Sequence, residues 1–326
     1  IMAKEFLNAL EAEIATQDMG NHPKELYEPI QYLMSLGGKR IRPVLCLLTY
    51  SLFKDQWQKA ISPSLSLEIF HNFTLMHDDI MDKAPLRRGK QTVHEKWNDN
   101  IAILSGDVML VNAYQYLNKI KDLSLLEFQF ALERFNKTAA EVCEGQQMDM
   151  NFELRDQVSV DEYIEMIRLK TSVLIGLSME LGAILAQQSN QVSNQIYKIG
   201  ELIGLGFQLK DDLLDVYGDP EKFGKQPGGD ILANKKTYLL IRALELAEGE
   251  NKIELSKWLS MANPNPEFKV KSVTAIYTSL GVKEETEALV KKYFDEAFVQ
   301  MSALNIGDEK KAGLLKFMNG LVDREV

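Results

Sequence analysis

The sequence contains few of the residues that cross-link small proteins. It has two cysteines, Cys46 and Cys143, among 326 residues. They lie far apart and belong to no C-x-x-C or Cys/His pattern, so they indicate neither a zinc site nor a disulfide framework. We expect two reduced thiols in a cytoplasmic protein, because the N-terminal segment is an amphipathic helix with acidic residues and no secretory apolar core.

Long apolar runs and an excess of positive charge are also missing. The apolar stretch 173–186 is interrupted by Glu180 and is shorter than the roughly 18 residues of a membrane span, so we expect no transmembrane helix. A net charge of −10 argues against nucleic acid or an anionic lipid surface as the main partner. An anionic ligand would therefore need local basic clusters or bridging cations.

Glycine and proline are scarce, with 20 and 9 residues respectively. Apolar residues recur at helical spacing along nearly the whole chain, for example over 163–181 and 196–213, and no convincing alternating strand pattern occurs. No linker, low-complexity tract or repeat of fixed period separates two parts. The sequence predicts one all-α domain over residues 1–326.

Two acidic clusters share the same spacing. They are HDDIMD, with Asp78, Asp79 and Asp82, and KDDLLD, with Asp211, Asp212 and Asp215. Residues four apart share a helix face, and like charges there repel by about 1 kcal/mol in water and by more near a protein surface. A solvated acidic face is the alternative for one cluster. Two copies among apolar neighbours favour a hard cation held by oxygen ligands, most plausibly Mg²⁺.

Basic residues occur in several short clusters along the chain. These residues are Lys39, Arg40, Arg42, Arg87, Arg88, Lys90, Lys170, Lys225, Lys235 and Lys236. Arginine forks and lysine point charges both suit phosphate oxygens, so their combination with two magnesium-type clusters suggests diphosphate esters. His71 lies seven residues before Asp78 and can share its helix face, whereas His77 and His94 fit structural roles better.

These motifs resemble those of the trans-isoprenyl diphosphate synthases, or polyprenyl synthetases, over nearly the whole chain. The matching segments, in family order, are GGKRIRP (37–43), HDDIMDKAPLRRG (77–89), EGQQMD (144–149), KT (170–171), GFQLKDDLLD (206–215) and GKQPGGDILANKKT (224–237). Two departures are Gln91, where proline is common, and Asn234, where glycine is common. The resemblance implies an all-helical bundle around a deep central cavity, in a homodimer.

The resemblance also implies roles for individual residues. Isopentenyl diphosphate would be held by Lys39, Arg42, His71 and Arg88. The allylic diphosphate would contact Arg87, Lys170, Thr171, Gln208, Lys225 and Lys235. The principal magnesium ligands would be Asp78, Asp82 and Asp211. Asp79, Asp212 and Asp215 would have supporting or water-bridged roles, and of these three Asp215 is also counted as a metal ligand. The six acids and Lys170 form the implied catalytic set, with three Mg²⁺ ions when substrate is bound.

The implied activity is a head-to-tail condensation. Isopentenyl diphosphate would join a dimethylallyl, geranyl or farnesyl diphosphate to give a short trans-prenyl diphosphate. Alternatives are a longer-chain synthase, a terpene cyclase or head-to-head coupler, and a noncatalytic subunit of a heteromeric synthase. GGKRIRP and the tandem arginines favour elongation, and both aspartate motifs are intact although noncatalytic subunits typically lose one.

Phe73 is the candidate determinant of product length. It precedes Asp78 by five residues, which is about 7.5 Å along a helix, and small Thr74 follows it. A bulky ring there would stop a growing chain whose diphosphate is fixed at the metals. A single aromatic at this position resembles the geranylgeranyl diphosphate synthases, so we expect a C20 product, with C15 as the nearest alternative.

Overall fold

The computed structural model describes residues 2–219 and 227–323. Helices dominate this part of the chain, and the strands in it form one pair of two residues each, which confirms the all-α prediction. Lys225 lies outside the described residues.

The elements follow one another with short connections. The first are α1 (Met2–Thr16), α2 (Lys24–Ser35), α3 (Ile41–Tyr50), a 3₁₀ turn (Trp57–Ala60), α4 (Ile61–Met81), β1 (Leu86–Arg87), β2 (Lys90–Gln91), α5 (Val93–Lys96) and α6 (Asp99–Leu117). The next are α7 (Leu125–Glu153), α8 (Val160–Ile167), a π turn (Arg168–Ser172), α9 (Val173–Leu185) and α10 (Asn190–Tyr217). The last are α11 (Gly229–Leu232), α12 (Tyr238–Leu246), α13 (Gly249–Ser260), α14 (Pro266–Ser279), α15 (Val282–Ala303) and α16 (Asp308–Val322).

The chain forms two compact units. Unit 1 contains Ile1–Arg134, Ser178–Ile196 and Ile306–Leu314, and unit 2 contains Phe135–Leu177, Tyr197–Asn305 and Leu315–Val326. The single domain over 1–326 and the central cavity stay predictions. The first acidic cluster belongs to unit 1 and the second to unit 2.

Helix α4 forms the core of unit 1. Every residue from Pro63 to Phe70 is buried, and α4 packs against α3 and α6. The hydroxyls of Ser64 and Ser66 donate to carbonyls one turn back at 2.7 Å, so these polar groups are satisfied inside the helix. Helix α6 lies very close to α4 at Gly106, where a Cβ would overlap the imidazole of His77.

One apolar cluster fixes the C-terminal end of α10 in unit 2. Leu213 and Val216 of α10 pack with the apolar faces of α11 to α15, through residues that include Leu239, Leu255 and Val273. This packing holds the second acidic segment against a rigid helical base. Asn265 and Thr237 begin α14 and α12 by accepting backbone N–H groups of the first turn.

The buried side chain of Arg40 connects the glycine-rich loop of unit 1, residues 36–40, to α4. Its guanidinium donates to Glu68 at 2.8 Å, to Glu11 at 2.8 Å and to the Met34 carbonyl at 2.7 Å. Asn72 donates its amide to the Glu68 carboxylate at 3.0 Å. Arg40 and Glu68 side chains are 0% and 3% exposed, so each charge depends on the other for compensation.

Arg40→Met should destabilise the protein by about 3–5 kcal/mol, because it leaves the Glu68 carboxylate buried without its charge partner. Urea unfolding followed by circular dichroism measures the change. Arg155→Met is the matched control, since Arg155 pairs with Glu162 at the surface and its loss should leave the midpoint of unfolding nearly unchanged.

A double variant, Arg40→Met with Glu68→Met, should be more stable than Arg40→Met alone. A double variant less stable than either single would contradict the charge argument.

Candidate active site

The first acidic cluster lies at the C-terminal end of α4. Asp78 and Asp79 occupy its last turn, and Asp82 caps it, with the Asp82 N–H donating to the Asp78 carbonyl at 2.8 Å. Helical geometry therefore extends through Asp82, which confirms that Asp78 and Asp82 share a face. Acidic groups at this end of a helix oppose its dipole, so their position is unfavourable for α4 itself. A cation bound to these carboxylates would offset that cost.

Asp79, the buried acid of this cluster, forms an ion pair with Arg87. The Arg87 guanidinium donates to both Asp79 carboxylate oxygens, at 2.8 and 2.7 Å, and Asp79 is 3% exposed. Such a forked pair is strong and directional. Arg87 can reach back because Arg88 and Gly89, with φ of 52° and 73°, form the tight turn between β1 and β2.

The same turn directs Arg88 toward the glycine-rich loop. The Arg88 guanidinium donates to the Gly37 carbonyl and lies so close to Gly38 that a Cβ there would be 2.9 Å from it. Gly38 has φ of 147°, which a larger residue rarely adopts. Lys39 and Arg42 follow within the loop and at the start of α3.

His71 lies among these arginines. Burial, followed by the charges of Arg42, Arg88, Arg87 and Arg40, lowers the pKa of His71 well below its ordinary value. The imidazole is therefore neutral near pH 7 and can donate one N–H to an anion. This part of unit 1 is strongly positive although the chain as a whole is acidic.

The predicted length determinant is nearly buried on the same helix. Phe73 is 8% exposed, and its ring centroid lies 5.5 Å from that of Phe70 and 4.9 Å from that of His77. Thr74 donates its hydroxyl to the His71 carbonyl at 2.7 Å. His77 contacts the Ile103 carbonyl at 3.0 Å, and His94 is buried in α5 beside Glu95, so both histidines have structural surroundings.

In unit 2, Lys170 and Thr171 lie on the π turn between α8 and α9. Gly145 of α7 and Gly204 of α10 allow close approach, because a Cβ on either would overlap the backbone of this turn at Lys170 or Ser172. A π turn often marks a functional position. The Lys170 ammonium donates to Asp149 at 2.6 Å, a partner that the sequence analysis did not assign.

Two lysines govern the ionisation of Asp149. Burial opposes its charge, yet the ammonium groups of Lys170 and Lys235 outweigh burial and lower the pKa of Asp149 below its ordinary value. Lys170, Asp149 and Lys235 thus belong to one charged group in unit 2. The only sequence signal for Asp149 was its place in the EGQQMD motif.

A hydrogen-bond chain links the π turn to the second acidic cluster. Thr171 donates to the Gln208 amide oxygen at 3.1 Å, and the Gln208 amide nitrogen donates to Asp212 at 3.0 Å. The phenol of Tyr163 donates to the other Asp212 oxygen. Burial and the nearby Asp230 raise the pKa of Asp212 to about 7, against the opposing effects of Lys235 and these two donors.

Asp211 and Asp215 flank this buried acid on the last turns of α10. Both are partly exposed, whereas Asp212 is 4% exposed. The Asp215 carboxylate accepts the Asp230 backbone N–H at 2.9 Å, which orients it against the start of α11. The pattern repeats that of unit 1, where one acid is buried in protein contacts and its neighbours are open.

The donors of both clusters suit Mg²⁺ because they are carboxylate oxygens on ordered helix ends. Among residues 2–219 and 227–323, no group of three or more His, Cys, Asp or Glu side chains is arranged to hold a metal alone. Magnesium commonly takes one or two carboxylates and fills its other positions with water and substrate phosphate, so the residues present fit this ion.

Comparisons with known proteins identify the family of this chain. The family described as polyprenyl synthetase matches residues 23–277. A geranylgeranyl diphosphate synthase of Methanosarcina mazei is 33% identical over 310 residues, 93% of this chain and 91% of that protein. A short chain isoprenyl diphosphate synthase of Methanocaldococcus jannaschii is 38% identical over 264 residues, 81% and 79% of the two chains.

A solved structure gives the same result for the fold. The crystal structure of a geranylgeranyl pyrophosphate synthase superposes with a TM-score of 0.91 at 41% identity, covering 100% of this chain and 98% of that one. None of the helices within residues 2–219 and 227–323 has the length and apolar character of a membrane-spanning helix. The chain belongs to the polyprenyl synthetase family and is a trans-isoprenyl diphosphate synthase.

Proposed function

We propose that this enzyme condenses isopentenyl diphosphate with an allylic diphosphate, head to tail, to a C20 prenyl diphosphate. The proposal rests on one observation. Each unit has a pair of carboxylates suited to a metal ion and, beside it, a separate group of cationic side chains. Relatives named as geranylgeranyl diphosphate synthases support the C20 product. A longer-chain product remains the alternative.

Isopentenyl diphosphate is assigned to unit 1. Its candidate ligands are Lys39, Arg42, His71 and Arg88. The neutral His71 imidazole supports this assignment, because the arginine charges that, after burial, lower its pKa are also charges that attract a diphosphate. Arg40 does not join them, since its guanidinium is fully committed to Glu68, Glu11 and Met34.

The allylic diphosphate is assigned to Lys170, Thr171, Gln208, Lys235 and Arg87, together with Lys225 in the segment that is not described. Lys170 is held by Asp149 before substrate arrives, so its ammonium group needs little reorganisation, and the charge of Lys235 acts on the same carboxylate. Arg87 keeps donor groups beyond its fork to Asp79 for a phosphate oxygen.

Magnesium is assigned to Asp78 and Asp82 in unit 1 and to Asp211 and Asp215 in unit 2, with three ions in the complex. Members of the family generally use Mg²⁺. When bound, Mg²⁺ would neutralise charge that builds up on the leaving diphosphate. Asp79 and Asp212 would act through their protein partners instead.

The chain's own residues support three bond changes. The allylic carbon–oxygen bond breaks with its electron pair leaving on the diphosphate, which Lys170 and Lys235 stabilise. The double bond of isopentenyl diphosphate then attacks the allylic cation and forms the new carbon–carbon bond. The adduct cation then loses a proton to an oxygen of the released diphosphate, and the electrons of that carbon–hydrogen bond form the new double bond.

We also propose that the enzyme is a cytoplasmic homodimer. Both cysteines are free thiols, as is usual in a reducing compartment. The outer face of α6 exposes Ile103, Leu104 and Val111, which are 42%, 58% and 56% exposed. Leu104 and Val111 lie two turns apart, so they form an apolar stripe suited to a second copy of the chain.

Replacing Asp78 or Asp211 by alanine should lower turnover by roughly 10²–10³-fold, because each removes a carboxylate from a metal pair. Incorporation of radiolabelled isopentenyl diphosphate with an allylic diphosphate measures it, and it also separates elongation from cyclisation. Asp156→Ala, at an exposed loop acid, is the control. Near-native turnover in either cluster variant would overturn the paired-cluster assignment.

Phe73→Ala should shift the products to chains longer than C20, because it removes the ring proposed to stop elongation. Chromatography of the dephosphorylated products measures the distribution. Phe6→Ala is the matched control, since it empties a similarly buried site against Trp57 and should leave product length unchanged. An unchanged distribution in Phe73→Ala would assign chain length to another residue.

Lysine at both Leu104 and Val111 should convert the dimer to monomer, because it places two charges in the apolar stripe of α6. Sedimentation velocity measures the mass in solution. Lysine at Leu154, which is 88% exposed at the end of α7, is the control. A dimer that survives the double substitution would place the interface elsewhere.

A further inference from the structure

A buried lysine that belongs to neither acidic cluster lies beneath the turn that carries Lys235. Lys269, in the first turn of α14, is 2% exposed and is among the largest fully buried side chains. Burial lowers its pKa, and no carboxylate contributes to that shift. An apolar residue would fill this position without the desolvation cost of an ammonium, so packing alone does not account for a lysine here.

Among the described residues, the Lys269 ammonium contacts the side chain of Asn234. It donates to the side-chain oxygen of Asn234 at 2.6 Å, and the Asn234 amide nitrogen donates to the Leu259 carbonyl in the last turn of α13 at 3.1 Å. Asn234 therefore connects α13 and α14 through its two side-chain atoms. Because Lys269 is buried and Asn234 is partly buried, loss of either side chain would leave a polar group of the other without this partner.

The backbone at Asn234 determines where Lys235 points. Asn234 has φ of 51°, in the left-handed region that asparagine tolerates better than most residues. The next N–H, of Lys235, donates to the Asp230 carbonyl at 2.9 Å, and the Thr237 N–H donates to the Lys235 carbonyl at 2.9 Å. The turn is thus tight around Lys235, and the side chain of Asn234 anchors it to α13 and α14.

We propose that Asn234 and Lys269 form a lock that fixes the turn 233–237 and so positions Lys235 toward the allylic diphosphate. Both are positioning residues, because neither is assigned a contact with substrate. Glycine, which is common at position 234 in the family, would allow the same backbone conformation but could not link the turn to α13 and α14. The inference rests on the proposed function for the role of Lys235.

The lock is tested with Asn234→Gly, Lys269→Met and the double variant, in the full chain. Asn234→Gly keeps the left-handed backbone accessible, and Lys269→Met keeps most of the buried volume. Hydrogen–deuterium exchange of the ligand-free protein reports on the amides of Lys235 and Thr237. Each single variant should raise their exchange roughly tenfold, as expected for loss of one buried hydrogen bond.

Kinetics provides the second readout. Both single variants should raise KM for the allylic diphosphate severalfold while KM for isopentenyl diphosphate stays within about twofold, and the double variant should match the worse single because the residues act together. Lys257→Met, on the exposed face of α13, is the matched control and should change neither exchange nor KM.

The outcomes separate the lock from the role of Lys235. Unchanged exchange at Lys235 and Thr237, or a uniform rise along all of α14 with both KM values changed alike, would overturn the lock. Lys235→Ala tests the proposed function independently: if it leaves the allylic KM unchanged while the lock variants still raise exchange, the substrate assignment is wrong and the lock stands.

Discussion

The forked hydrogen bonds between Arg87 and Asp79 set the arrangement of unit 1. They neutralise the most buried acid at the end of α4 and fold the β1–β2 turn back against the helix. The turn then brings Arg88 to Gly37, next to the loop of Lys39 and Arg42. Asp78 is partly exposed and Asp82 is exposed, whereas Asp79 is buried. One ion pair thus lies between the carboxylates proposed to hold a cation and the arginine and lysine side chains proposed to hold an anion.

Unit 2 reaches a similar result with neutral donors. Asp212 is held by Tyr163 and Gln208, and its neighbours in the cluster are more open. Arg87 forms an ion pair with Asp79 in unit 1, whereas burial raises the pKa of Asp212 to about 7 in unit 2. The two clusters therefore share a spacing but differ in the side chains that hold their buried acid. Lys170 donates to Asp149, so this ammonium group is held in place without substrate.

Local patterns in the sequence were sufficient for the helical fold and for the shared face of Asp78 and Asp82, because both follow from the 3.6-residue turn. They were insufficient for partners distant in sequence. Arg40 stood in the same basic cluster as Lys39 and Arg42, yet Glu68, 28 residues away, takes it into the core. Asp149 and Tyr163 were missed for the same reason, since their partners lie 21 and 49 residues away. The magnesium ligands and substrate contacts remain predictions carried by motif resemblance.

The π turn at 168–172 changes the direction in which all later side chains of the helix point. One extra residue in a helical turn rotates every later side chain by about 100° about the axis, without bending it. The apolar stripe that seemed continuous from Tyr163 to Leu181 is therefore two stripes, offset from each other where Lys170 and Thr171 project. Deleting a single residue here would realign the stripes and rotate these two side chains out of position. A transplanted segment would need to bring Gly145 and Gly204 with it, because the widened turn fits only between two residues that have no side chain.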